Sequence, residues 1–162
     1  KDLVASTKSC TYCFHFTDSK ICCICENIER DPSKILVIEH PQDLIAIETS
    51  GQFNGVYHVL SGKLDILGGV KSGDLTANEL IERIDDSNKN VRKVQVKEVI
   101  LGLNATWEGD STGLWLYEEL HNRNIKITRL ARGISPGGTL EMATAASLAD
   151  ALHGRQDFSP GK

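Results

Sequence analysis

Cys10, Cys13, Cys22 and Cys25 form two Cys-x2-Cys pairs with eight residues between them. Paired knuckles of this kind bring four sulfurs onto one tetrahedral Zn²⁺ and leave no open coordination position. A catalytic zinc keeps a water in its fourth position, so four thiolates point to a structural staple and away from hydrolysis at the metal. Two disulfides are the alternative. It fares poorly, because no apolar secretion leader opens the chain and five cysteines leave an odd thiol. Cys23, between the two ligands of the second pair, reads as a spare thiol. His15 could replace a sulfur, but the four-sulfur set is complete without it, so a surface or packing role fits better.

The second set of reactive residues is acidic. Glu39 closes the apolar run Ile35–Ile38 and Asp43 follows it, while Asn104-Ala105-Thr106-Trp107-Glu108-Gly109-Asp110 closes a later run. A carboxylate at one strand end facing a pair at the next is how a hydrolase or nucleotidyl transferase holds Mg²⁺ against phosphate. The pair is missing here. Positions 104 and 106 carry an amide and a hydroxyl, which are weak Mg²⁺ ligands. Glu108 and Asp110 retain the charge for some metal affinity, and equally for offsetting a helix dipole at its N-terminus.

These residues need a scaffold. At 162 residues and a net charge of −4, the chain has room for one ordinary domain plus a small module, and it does not coat nucleic acid by bulk charge. The longest apolar runs fall far short of a membrane span, so a soluble protein with reduced thiols is expected, in the cytoplasm at the nucleoid or in an organelle matrix. The sequence starts at Lys1 and its single methionine is Met142, which reads as a chain beginning inside a longer product. Short β-branched runs alternate with helical segments from Lys34 onward, the pattern of an α/β fold with a mostly parallel sheet flanked by helices. Strands are expected over Ile35–Glu39, Val56–Leu60, Glu98–Asn104 and Ile125–Leu130, each apolar enough to be buried on both faces. A helix should begin at Pro41 and end at Gly51, and Thr76 with Glu79 has the spacing of a capping box for a second. Asp110 or Ser111 should cap a third that stops at Asn124, and a last helix is expected over about Leu140–Leu152. The glycine-rich segment Ser61–Asp74 reads as a long irregular loop. The resulting division is a four-cysteine module at 1–33, a sheet domain at 34–133 and a C-terminal loop and helix at 134–162.

Glu39 at a strand end, with Asn104-x-Thr106-x-Glu108-Gly109-Asp110 after a later strand, resembles the Toprim fold of topoisomerases, primases and certain nucleases. The order of further motifs is more specific. A four-cysteine finger directly before the first Toprim strand, Tyr57-His58-Val59-Leu60 ahead of a glycine-rich loop, Glu98-Val99-Ile100-Leu101, Thr128–Gly133, and Gly137-Gly138-Thr139-Leu140-Glu141 together resemble the bacterial recombination mediator family RecR, over roughly Cys10 to Arg155. The resemblance implies a non-enzymatic scaffold with degenerate Toprim acids and one structural zinc. It implies a ring-forming homo-oligomer acting with RecO, and with RecF, to load RecA on single-stranded or gapped DNA. The family's N-terminal helix-hairpin-helix region has no counterpart pattern before Cys10. This chain also departs from the family at Ala105, where Pro is usual, at Asp110, where Glu is usual, at Leu64–Leu67, where Ser-Pro is common, and at Pro136, one place later than usual.

On that resemblance Glu39, Glu108 and Asp110 form an acidic patch that receives a basic surface of RecO, and Trp107 is an anchor candidate beside it. Lys8, Lys20, Arg30 and Lys34 around the finger are the candidate DNA contacts. Nearby acids cancel much of their field, so binding to DNA junctions by this chain alone should be weak and salt-sensitive. Two alternatives remain: an active Mg²⁺-dependent Toprim nuclease or primase-type enzyme, and a zinc-ribbon adaptor that binds only protein.

Overall fold

A computed structural model describes residues 8–158; the first seven positions of the expected finger module and the last four of the C-terminal segment lie outside the described residues. In chain order the elements are strands β1 (Lys8–Ser9) and β2 (Phe16–Thr17), helix α1 (Cys23–Glu26), β3 (Asp31–Ile38), α2 (Pro41–Ser50), β4 (Gly55–Val59), α3 (Ala77–Asp85), β5 (Glu98–Leu101), α4 (Trp107–Leu120), β6 (Lys126–Arg129) and α5 (Ala145–His153). Two compact units result, Lys1–Arg129 and Leu130–Lys162.

The sheet of the first unit has the order β4-β3-β5-β6 and is parallel throughout, with Ile35 opposite both Val56 and Val99, and Val99 opposite Ile127. The expected α/β architecture is therefore present. Four successive residues of β3, Ile35–Ile38, are buried because neighbours pair on both sides and helices cover the faces. β4 lies at the sheet edge and is nonetheless buried along its whole length. The finger meets its end: the Val59 N–H donates to the Cys13 carbonyl at 2.8 Å, so this edge donor is taken up. Cysteine module and sheet thus share one compact unit and one core. β6, at the opposite edge, is not buried on both faces as its sequence suggested; Lys126 and Arg129 are exposed and only Ile127 and Thr128 are partly covered.

Helix ends show where local signals were overridden. α2 runs from Pro41 to a Gly51 cap at φ 65°, a left-handed turn that glycine adopts without steric cost, as its sequence indicated. The capping box at Thr76 does not form. The Thr76 hydroxyl instead donates to the Val59 carbonyl at 2.7 Å, so a tertiary bond has claimed the cap. α4 starts at Trp107, earlier than Asp110 or Ser111 would give, because Thr106 Oγ1 accepts from the Gly109 N–H at 3.1 Å. It ends at Leu120, before Asn124. The segment 61–74 is tied in at several points, by an Asp65–Val70 bridge, a 3₁₀ turn at Ser72–Asp74 and a 2.9 Å bond from the Leu64 N–H to Thr112 Oγ1.

The second unit breaks the expected single helix in two, a 3₁₀ turn at Leu140–Met142 and α5, whose first turn is capped by Thr144 Oγ1 accepting from the Ser147 N–H at 3.1 Å.

Candidate functional site

The finger is built by local turns. The Phe14 N–H donates to the Cys10 carbonyl and the Glu26 N–H to the Cys22 carbonyl, each at 3.0 Å, so both Cys-x2-Cys pairs fold back on themselves. The sulfurs of Cys10, Cys13, Cys22 and Cys25 lie within 4.8 Å of one another, with Cys13 and Cys22 at 3.5 Å, and all four residues are buried. Zn–S bonds of about 2.3 Å place tetrahedral sulfurs roughly 3.8 Å apart, so the set fits the ion. The chemistry of the donors agrees. Thiol donors on Cys13, Cys22 and Cys25 pull the Cys10 pKa far down, while the bonds from Cys10 and its neighbours push that of Cys25 up. A divalent ion among the four sulfurs lets all of them ionise. Cys23 is exposed and outside the cluster.

At the strand ends the predicted acids are separated by environment. Glu39 is 2% exposed, and its carboxylate accepts from the Asn104 backbone N–H at 3.0 Å and from Asn104 Nδ2 at 2.9 Å. It faces inward and holds the loop after β5, so it is not part of an accessible patch. Glu108 and Asp110 lie in the first turn of α4, Asp110 exposed and Glu108 paired with Lys63 at 3.7 Å. Gly109 between them is a close-approach position: a Cβ there would stand 2.1 Å from the Asn104 carbonyl oxygen. Beside this turn a cleft of about 690 Å³ is lined by Leu64, Ile66, Leu67, Val70, Trp107 and Trp115. Trp107 is 85% exposed, a large apolar surface left in water next to two acids.

Of the basic candidates, Lys8 and Lys20 are exposed on the finger. Arg30 is not available in the same way. Its guanidinium forms a two-point ion pair with Glu48, which also accepts from the Tyr57 hydroxyl. Lys34 lies on β3 and pairs with Asp31 at 3.5 Å.

Sequence reasoning missed a buried polar group that joins the finger to the sheet. Arg83 on α3 donates through Nη1 to the carbonyls of Tyr12 and Tyr57, at 2.8 and 2.9 Å, and through Nε and Nη2 to Asn90 Oδ1. His58 Nδ1 lies 3.2 Å from the same Nη1, and its Nε2 lies 2.7 Å from the Thr76 carbonyl. Arg83 can only donate and a carbonyl can only accept, so His58 is neutral with its proton on Nε2. Burial, reinforced by the Arg83 charge, holds its pKa down to about 3. The one available signal was an arginine on the apolar face of an amphipathic helix, between Leu80 and Ile84.

The Toprim domain family matches residues 33–131. Among curated proteins, the chain is similar to the recombination protein RecR of Dehalococcoides mccartyi, 41% identical over 161 residues that cover 97% of this chain and 76% of that protein. It is 40% identical to RecR of Syntrophotalea carbinolica over 158 residues, 98% and 76% of the two chains. RecR of Parabacteroides distasonis is 37% identical over 152 residues, 94% and 70%.

Proposed function

The chain belongs to the RecR family, and from that premise we propose that it acts in DNA recombination and repair as a zinc-stapled, non-enzymatic scaffold whose α4 surface docks a protein partner, RecO. The observation that carries this reading is the state of the strand-end acids. Glu39, where a Toprim metal site would need a free carboxylate, is spent on the two N–H groups of Asn104. Thr106, at the second ligand position, caps α4. Both are committed to positioning the loop after β5 and the start of α4, so the geometry favours a surface use of this strand end over phosphoryl transfer.

Two acids beside an exposed tryptophan and an apolar cleft have the make-up of a protein contact: an aromatic anchor with a charged rim. Glu108 and Asp110 supply the charge that speeds encounter with a basic surface, and Trp107 with Leu64 and Ile66 supplies apolar area. DNA is met by Lys8 and Lys20 on the finger, weakly in this chain alone, and stronger binding depends on a ring of several copies that lets RecF and RecO load RecA. Among the described residues no helix is long and apolar enough to cross a membrane.

The test is fluorescence anisotropy of purified RecO titrated against this chain and against a Glu108→Gln/Asp110→Asn double variant, at low and moderate salt. Salt-sensitive binding that the double variant loses is the expected result. Binding unchanged in the variant would remove the acids from the interface, and Mg²⁺-dependent cleavage of DNA abolished by Glu39→Gln would replace the scaffold with an enzyme.

A further inference from the structure

Arg83 is 3% exposed, yet every hydrogen-bond partner found for it is neutral: two backbone carbonyls, the Asn90 amide oxygen and the uncharged His58 ring. Among the described residues it takes part in none of the carboxylate ion pairs. A guanidinium does not give up its proton in a protein, so a full positive charge sits in the interior with only neutral groups hydrogen-bonded to it. Burial penalises that charge, and the groups that offset the penalty are Cys25, Cys13 and Cys10 of the finger when their sulfurs are ionised. The geometry agrees, because the Tyr12 carbonyl that Arg83 grips lies between the ligands Cys10 and Cys13.

We infer that Arg83 is the counter-charge of the four-cysteine metal centre, and that it makes metal loading and docking of the finger onto β4 a single event. This inference rests on the zinc reading of the finger. Four thiolates around one divalent ion carry a net charge of −2, whose burial a cation nearby makes less costly. Arg83 supplies that cation from α3, and its Nη1 pins the first knuckle to Tyr57 of β4 through a shared donor. Asn90 fixes the guanidinium plane from behind, with its own Nδ2 donating to the carbonyls of Pro32 and Val94, each at 2.8 Å. Removing the metal releases the two knuckles from a common centre, so the Tyr12 carbonyl that Arg83 holds loses its fixed position and the contact between α3 and the finger loosens.

The experiment is equilibrium competition for zinc between a chromophoric chelator and the full chain, for the parent, Arg83→Met and Arg83→Lys. Hydrogen exchange is followed in the parent with and without metal. Outer-sphere partners of a metal site typically change affinity by about 10- to 100-fold, so Arg83→Met should bind zinc weaker by that factor and Arg83→Lys, which keeps the charge, by clearly less. Chelation of the parent should raise exchange over residues 56–60 and 77–85. A parent that takes up no zinc would overturn both this inference and the zinc reading. Zinc affinity in Arg83→Met within about twofold of the parent, well short of that range, would overturn the inference alone. Equal losses in the Met and Lys variants would assign the effect to the hydrogen-bonded fork and overturn the charge argument. If Arg83→Met fails to fold, exchange in the parent decides: protection of 77–85 that is indifferent to metal sinks the coupling.

Discussion

Replacing Glu39 by Gln asks whether this residue is a structural acceptor or a vacant metal ligand. Its two oxygens accept from the backbone N–H and the Nδ2 group of Asn104 at 3.0 and 2.9 Å. A glutamine brings one oxygen and one NH2 group. With its oxygen on the Asn104 backbone N–H, its NH2 group meets the Asn104 amide, which must flip to present Oδ1, and both bonds fall from charged to neutral. Hydrogen bonds to charged groups contribute about 1.5–3 kcal/mol and neutral ones about 0.5–1.5 kcal/mol, so weakening both bonds in Glu39→Gln should cost about 2–3 kcal/mol. The assay is urea unfolding followed by tryptophan fluorescence and far-UV circular dichroism, with the denaturant slope checked for constancy. Asn104→Ala closes a double-mutant cycle with it, and a coupling of about 1 kcal/mol or more is expected for groups in direct contact. A cost below about 0.5 kcal/mol, the size of an ordinary surface substitution, would refute the claim that Glu39 organises the loop after β5.

Three further outcomes are expected. Cys22→Ser should lose the one zinc per chain and destabilise the unit, whereas Cys23→Ser, altering an exposed thiol, should keep both; metal analysis with thermal melts reads the difference. Gly109→Ala should destabilise by about 1–3 kcal/mol and weaken RecO binding without changing charge, because its Cβ would meet the Asn104 carbonyl oxygen at 2.1 Å; unchanged melting would contradict that close approach. His58 has a folded pKa of about 3 against an ordinary 6.5, so its contribution is complete above 6.5 and declines as pH falls toward 3, where the unfolded chain binds a proton that the folded one refuses. Between pH 6.5 and 5 that amounts to about 1.6 kcal/mol, and the loss of unfolding free energy over this interval should be smaller by that amount in His58→Gln than in the parent.

What could be read from the chain alone was whatever covalent spacing controls. The four cysteines lie within sixteen consecutive positions, so their approach to a common centre follows from two tight turns and is visible in the sequence. The buried strands and the Pro41-to-Gly51 helix are likewise local, set by runs of β-branched residues and by end signals a few residues apart. Order along the chain was enough to point to the family. The direction in which a side chain faces was not, since contacts across long sequence separations decide it. Glu39 meets Asn104 across 65 residues, and Arg83 meets Tyr12 across 71. From its position Glu39 reads as a surface acid, but parallel pairing of β3 with β5 brings the loop after β5 over it and turns it inward. Thr76 gave up a local cap for a bond to β4, and the edge position of β6 undid the burial its sequence suggested. An arginine at position 83 is an ordinary helix residue in the sequence. Only the packing of α3 against both the finger and β4 makes it the buried cation between them, because burial and electric field are properties of everything that surrounds a group.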